Sequence, residues 1–489
     1  MKLFLTQIVI WACFIGRCYG QSANLDIYRC PPCGNEACDT ILFKRPGVCP
    51  ICHMNLVRQA LERKAGTGVA GHGFEGHWEG VAKTTDQRLN FSLDIMSTPL
   101  GILFNSADLK AMKVAARNIK AANDSLSFEL TGDHSTTVFS LAIVNGSLAG
   151  ALTTSDENVS GENRTAKFVL KKTSPPPVKY IIREVAWSNG MVSLSGSLYI
   201  PKGAGRFPAI VSNHSSGDQL RYDGAFMADY LASRGIAVLT YDKRGDGKST
   251  GDWRTSNFDD LAGDCIGGIE YLKTVHQIDP NLIGIFGHSQ GGTISPIIVS
   301  KCRGIAFNIA AAAFAVSPEE QDIYRVTNTL KLAAHLDSTS IDSAIRFFKI
   351  WLEVAKTGTG WDELEKATLL AASAKWYPWV EPPPKNNWIW KWYRIAGNYD
   401  YTIYWQKVHI PTLLIYGEYD EVTPVEASIK QIKKDLRIAH NNRSTVVVIP
   451  NARHYFTRIG KEGDLWTQNA SGYFEAIYDW IKHIRSEQY

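Results

Sequence analysis

Long apolar runs are scarce in this chain, and so is any excess of one sign of charge. The apolar stretch near the start, Leu3 to Gly16, is shorter than the roughly 20 residues that span a bilayer, and no later run is long and apolar enough. Lys and Arg outnumber Asp and Glu by only four, and no basic stripe carries interleaved aromatics, so the footprint expected of a nucleic-acid binder is missing. Internal repeats and low-complexity tracts are absent as well. Charged residues make up 20% against 45% hydrophobic, with 14 Trp, 20 Tyr and 19 Phe, a composition too apolar for disorder. At about 150 residues per domain the length of 489 residues suggests about three units, which excludes a single small fold.

The first twenty residues, MKLFLTQIVIWACFIGRCYG, combine a short basic start, an apolar stretch and small residues at Cys18 and Gly20. This reads as a secretory signal over 1–20, cut before Gln21, and predicts an exported protein, periplasmic or secreted. Lipoprotein cleavage before Cys13 or Cys18 is the rival, although Trp11 and Arg17 sit poorly in positions that need small residues.

Two joints divide the rest, one Gly-rich (Lys64 to Gly76) and one Pro-rich (Ser174 to Pro177). Between them, over 77–173, apolar and polar residues alternate in short runs such as Phe91 to Met96 and Val138 to Val144. Period-two alternation broken by turn residues predicts a small antiparallel sandwich or barrel. No titratable cluster stands out there, and His72 and His77, in or beside the first joint, read as solvated linker residues. From Val178 onward, apolar strands alternate with helical stretches, among them Ala209 to Asn213, Ile236 to Tyr241, Leu282 to Phe286, Ile305 to Asn308, Thr412 to Tyr416 and Thr445 to Val448. The implied fold class is α/β, a mostly parallel sheet with helices on both faces over 178–489. The interval 317–405 holds amphipathic helical stretches and many tryptophans but no strand, as expected of a helical cap inserted over the strand ends.

Of nine cysteines, five crowd between Cys30 and Cys52. Cys30-x2-Cys33, fifteen residues and Cys49-x2-Cys52 have the two-knuckle spacing that brings four thiolates around one zinc, within a module over 27–60. So short a segment has almost no core and needs the metal to fold. The same four cysteines could instead pair as disulfides in an oxidising compartment, and Cys38 is left over. Lys44-Arg45-Pro46-Gly47-Val48-Cys49-Pro50-Ile51-Cys52-His53-Met54-Asn55-Leu56 resembles the second half of the small heavy-metal-binding domain. That resemblance departs at His53, where the domain has glycine, and at Cys33, where it has histidine. All-sulfur ligation favours a closed structural zinc over a catalytic one.

Gly287-His288-Ser289-Gln290-Gly291 follows an apolar strand and precedes a helix-compatible run, the strand-turn-helix setting in which Gly-x-Ser-x-Gly presents a nucleophile. A serine hydroxyl needs a base within hydrogen-bond reach and a third group to orient that base. Asp420, in the turn after Thr412 to Tyr416, is the expected acid, with Glu418 and Glu421 as alternatives in the same turn. His454, after Thr445 to Val448, is the expected base. His440 precedes that strand, and His483 falls in a terminal helix. An oxyanion hole needs two N–H donors. Gln290, directly after the nucleophile, is one, and Ser216, in the loop after Ala209 to Asn213, is the first choice for the other, with Ser215 second.

Together these residues resemble the α/β-hydrolase superfamily over essentially all of 178–489. Tyr241-Asp242-Lys243-Arg244-Gly245-Asp246-Gly247-Lys248-Ser249 resembles the Asp-x-Arg-Gly-x-Gly-x-Ser turn of its branch of serine aminopeptidase-like hydrolases and related esterases. On that resemblance Asp242 and Arg244 buttress the site. Ser215 stands where the branch has glycine, so its side chain is expected to narrow the oxyanion approach or reshape the acyl pocket. The implied activity is ester hydrolysis through an acyl-enzyme by Ser289, His454 and Asp420, with no cofactor in catalysis and a small-molecule ester as partner. A peptidase or amidase of the same fold is the alternative, since Trp376, Trp379, Trp388, Trp390 and Trp392 serve either as cap core or as a wall for a peptide. A third reading is a metal-binding scaffold whose hydrolase unit is inactive.

Overall fold

In the computed structural model, residues 27–29, 42–43, 57–59, 73–122, 124–131, 135–156, 164–460 and 465–488 are described. Residues 1–20 and the proposed ligands Cys30, Cys33, Cys49 and Cys52 lie outside them. Three short strands, β1 (Ile27–Arg29), β2 (Leu42–Phe43) and β3 (Val57–Gln59), pair antiparallel in the order β2-β1-β3. Among the described residues the chain divides into two compact units, one built from Val178–Ile459 and from Ala470 onward, the other from the residues between Ile27 and Pro177 together with those within Gly460–Asn469.

In the second of these units, alternating runs form β4 (Gly76–Lys83), β5 (Arg88–Ser97), β6 (Leu100–Ser106), β7 (Ala111–Ala115), β8 (Arg117–Ala122), β9 (Ser125–Thr131), β10 (Ser135–Val144), β11 (Ser147–Asp156) and β12 (Arg164–Thr173). They make one antiparallel sheet in the order β7-β6-β5-β4-β12-β11-β10-β9-β8. On β5 the residues Leu89, Phe91, Leu93 and Ile95 are buried in alternation. Phe91 and Phe104 each lie 5.9 Å from the ring of Phe139 on β10, although β4, β12 and β11 separate β5 from β10 in the sheet. The strands thus form a single antiparallel sheet curled around its own aromatic core, on the barrel side of the expected sandwich or barrel. His77 corrects the expectation of a solvated linker residue. It is 7% exposed on β4, with Nδ1 2.5 Å from Asp94 and Nε2 2.8 Å from Glu79. The joint ends before it, and pairing β4 with β5 sets His77 directly opposite Asp94, a neighbour the linear pattern does not reveal.

The unit from Val178 onward holds a sheet of β13 (Tyr180–Asn189), β14 (Val192–Pro201), β15 (Phe207–Asn213), β16 (Ala237–Tyr241), β17 (Ile278–His288), β18 (Phe307–Ala311), β19 (Thr412–Gly417) and β20 (Ser444–Ile449). Its order is β13-β14-β16-β15-β17-β18-β19-β20, antiparallel through β16 and parallel from there on. β16, β18 and β19 are buried at every position, as expected of parallel strands covered on both faces. Val211, Leu239, Ile283 and Ile285 pack into one core with α2 (Phe258–Lys273) and α3 (Gln290–Lys301). Their neighbours Ile210 and Val238, with Ile309, pack into another with α1 (Ala225–Ala232) and the C-terminal helix Tyr473–Gln488. β18 begins two residues later than the apolar pattern suggests and runs into small alanines, Ala310 and Ala311, which are fully buried.

Between β18 and β19 the chain builds α4 (Pro318–Leu332), α5 (Ser338–Thr357), α6 (Trp361–Ala371), α7 (Ile389–Ala396) and α8 (Thr402–Trp405). Ser317 caps α4 by accepting from the Glu320 N–H, with Pro318 at the first turn. Asp337 caps α5 in the same way, and Gly358, with φ 78°, ends it. Phe347, Phe348, Trp351, Leu352 and Trp390 form a core of the cap's own. After β19 come α9 (Val425–Ile438), β20 and α10 (Tyr473–Gln488). No helix among the described residues is long and apolar enough to cross a membrane.

Candidate active site

Ser289 sits between β17 and α3 with φ 55° and ψ −119°, a backbone region a side-chain-bearing residue rarely occupies. The flanking glycines make that turn possible. A Cβ on Gly287 would stand 2.3 Å from the Gly291 carbonyl, and one on Gly291 would stand 2.6 Å from the Asn213 oxygen. The Ser289 N–H is held by the Ala311 carbonyl at 2.8 Å, so the neighbouring strand fixes the turn from below.

Three distant segments converge on this serine. His454 Nε2 lies 3.0 Å from Ser289 Oγ, and His454 Nδ1 lies 2.9 and 3.0 Å from the two carboxylate oxygens of Asp420. Asp420 is 3% exposed and accepts the N–H groups of Val422 and Thr423 at 2.9 and 2.7 Å, which fix its direction. Burial on its own lowers the His454 pKa, but the Asp420 carboxylate outweighs it, and the net direction is upward from 6.5. Of the alternative acids, Glu421 accepts the His454 backbone N–H at 3.2 Å and Glu418 accepts that of Asn451 at 2.8 Å. Both brace the histidine loop and leave its ring to Asp420.

Gln290 and Ser216 face the same cavity as Ser289 and His454. Gln290 opens α3, so its N–H belongs to the first turn, where helices leave donors without an intrahelical acceptor. Ser215 departs from expectation. Its hydroxyl lies 3.0 Å from both the carbonyl and Nδ1 of His288, while His288 Nε2 donates to the His454 carbonyl at 2.9 Å. The extra side chain thus ties the loop after β15 to the Gly287–Gly291 turn and, through His288, to the His454 loop. Asp242 and Arg244 are both buried, the first paired with Arg221 at 2.7 Å and the second with Asp264 at 2.6 Å.

The cavity measures about 370 Å3. Phe258, Phe314, Trp392 and Tyr401 line an aromatic side, and Gln321, Asp322, Arg325 and Asn328 of α4 a polar one. Arg325 reaches Asp322 at 2.9 Å, and Tyr393 donates to the other Asp322 oxygen at 2.9 Å. Of the five cap tryptophans singled out in the sequence, Trp392 lines the cavity, whereas Trp390 is core. Sequence reasoning missed Asp322 and Arg325, whose i,i+3 spacing looks like any exposed helix pair. Among the described residues no group of three or more His, Cys, Asp or Glu could hold a metal ion.

Residues 210–458, just over half of the chain, match the family described as serine aminopeptidase, S33. The chain belongs to that family. This S33-family chain is 30% identical over 155 residues to esterase EstD of Thermotoga maritima, covering 30% of the chain and 37% of that protein. It is 29% identical over 178 residues to the polyketide transferase ATR5 of Stachybotrys chlorohalonatus, covering 35% of the chain and 57% of that protein. The match thus spans less than two thirds of either relative. Among solved structures it resembles the Pyrococcus furiosus esterase Pf2001 with a TM-score of 0.39 at 18% identity, over 58% of this chain and 86% of that one. The unit from Val178 onward has the α/β-hydrolase fold.

Proposed function

We propose that the chain is a serine hydrolase that cleaves carboxylic esters. Ser289 Oγ attacks the acyl carbon, His454 takes the proton and returns it to the leaving alcohol, and Asp420 keeps Nε2 facing the serine. The Gln290 and Ser216 N–H groups receive the oxyanion, and water, activated by the same histidine, releases the acyl group. The observation that carries this reading is the unbroken chain of contacts from Asp420 through His454 to Ser289, with Ser289 and His454 lining the cavity.

The family's description favours a second reading, an aminopeptidase. That chemistry needs a carboxylate for the substrate's amino group. Of the two carboxylates on the cavity wall, Asp322 is paired with Arg325 and Tyr393, and one oxygen of Glu421 accepts the His454 N–H; the pairing of Asp322 supports an ester. EstD, named an esterase, points the same way. The deciding assay is a panel of p-nitrophenyl acyl esters and aminoacyl p-nitroanilides with Ser289→Ala as blank. Ester turnover lost by roughly a million-fold in the variant is expected. Anilide turnover would promote the aminopeptidase, and silence on both, together with no labelling by a fluorophosphonate, would leave the metal-binding scaffold.

The reading extends to the segments outside the described residues on sequence alone. A signal over 1–20 directs export, and Cys30, Cys33, Cys49 and Cys52 hold a structural zinc that takes no part in the chemistry. Metal analysis of the purified chain against a Cys49→Ser variant tests the zinc: one equivalent should be lost, and a metal-free, disulfide-bonded wild type would reverse the assignment.

A further inference from the structure

Lys243 is 1% exposed, an unusual place for an ammonium, and the assigned chemistry does not use it. Its Nζ donates to the Ser215 carbonyl at 2.8 Å, the Gly217 carbonyl at 3.0 Å and Gln290 Oε1 at 3.4 Å. Three acceptors match the three hydrogens of a charged ammonium, whereas a neutral amine has two. The cation also lies 4.7 Å from the centre of the Trp253 ring. Burial lowers the pKa of Lys243, and the Asp246 and Asp218 carboxylates oppose that.

The acceptors are the informative part. Ser215 C=O and Ser216 N–H belong to one peptide unit, and it is trans, so the two groups point in opposite directions. An ammonium fixed on the carbonyl of that unit sets the direction of its N–H. It also polarises the amide, which makes the N–H a stronger donor. The third contact reaches the side chain of Gln290, the residue whose N–H is the other assigned oxyanion donor. Resting on the serine-hydrolase reading, we propose that Lys243 is a positioning residue which clamps and polarises the Ser215–Ser216 peptide, so that both oxyanion donors are aimed before the substrate arrives. Preorganisation of this kind stabilises charge that develops only in the transition state, so its loss falls on kcat rather than on KM.

The test compares Lys243→Met and Lys243→Gln in the full chain, on an ester whose turnover Ser289→Ala abolishes. It reads kcat, KM, the melting temperature, and the inhibition constant of a trifluoromethyl ketone, which adds to Ser289 and leaves an ionised oxygen in the hole. Deleting one oxyanion donor costs about 100- to 1000-fold. Misaiming one should cost Lys243→Met roughly 10- to 100-fold in kcat, with KM little changed and the ketone weakened in parallel. Lys243→Gln, which keeps a donor but not the charge, should fall between. A folded Lys243→Met with wild-type kcat and ketone affinity overturns the proposal, as does a loss of activity that tracks melting temperature while the ketone binds as tightly as before. Should Lys243→Met not fold, Lys243→Gln decides on the same ketone measurement. Wild-type protein with neither Ser289-dependent turnover nor ketone binding would sink the hydrolase reading itself, a result distinct from intact turnover in the lysine variants.

Discussion

The catalytic assignment makes its strongest demands on His454, a fully enclosed imidazole with a carboxylate on one nitrogen and a hydroxyl on the other. Because Asp420 raises its pKa above 6.5 despite burial, the neutral form that acts as base is reached only at higher pH. The expected profile of kcat/KM rises through an inflection above 6.5. Asp420→Asn removes the charge that opposes burial, so the inflection should move to lower pH while kcat falls by roughly 10,000-fold. A profile that stays in place in the variant would assign the inflection to another group. This site was largely legible in the sequence. Gly287, Ser289 and Gly291 announce themselves because the steric demand of the turn is local, and the acid and base follow strand ends in chain order. The choice of Asp420 over Glu418 and Glu421 needed coordinates, since all three share a turn and only the fold decides which one meets the ring.

At the scale of elements, the cap holds a buried ion pair and the curled sheet a buried histidine between two partly exposed carboxylates. On α4, Arg325 pairs with Asp322, and Tyr393 of α7 completes the cluster. Arg325→Met would leave Asp322 buried without its cation, and breaking such a pair costs about 3 kcal/mol or more, which urea unfolding followed by tryptophan fluorescence would measure. In the sheet, His77 of β4 lies between Asp94 and Glu79, and these carboxylates outweigh the effect of burial to raise its pKa above 6.5. A raised folded pKa stabilises below the unfolded value, and the contribution is lost as pH rises through the folded one. Thermal unfolding of this sheet should therefore be most favourable to the folded state below about pH 6.5 and weaken above it. His77→Gln should flatten that dependence, and an unchanged pH dependence in the variant would rule out His77 as its source. Helix and strand periods revealed these elements, but which charged residues they bury follows from pairing partners, such as β4 with β5, that no local window contains.

For the whole molecule, chain order and structural unit do not coincide. The chain leaves the hydrolase-like unit after Ile459, contributes Gly460–Asn469 to the sheet unit, and returns at Ala470. There Trp466 is 8% exposed in the aromatic core, and Gln87 accepts the Leu465 and Trp466 N–H groups while donating to the Trp466 carbonyl at 2.8 Å. Asn469 adds bonds to the carbonyls of Asp108 and Ala107. The sheet unit is thus incomplete as a continuous piece of sequence. Trp466→Ala should destabilise it by about 3–5 kcal/mol, visible as an earlier transition in calorimetry. A fragment ending at Pro177 should melt earlier than the same unit in the full chain, and equal melting would show that the late segment adds nothing.

Sequence alone pointed to the strand-and-helix alternation, the Gly287–Gly291 turn, His454, and a short set of candidate acids, because each depends on contacts between residues close in the chain or on the order of strand ends. Tertiary structure alone decided that Trp466 completes a sheet whose strands lie hundreds of residues earlier, that Ser215 turns to His288, and that Lys243 donates to the Ser215 carbonyl. These depend on which surfaces come together once the chain is packed, and the free energy of that packing is spread over the molecule rather than written into any one stretch of it.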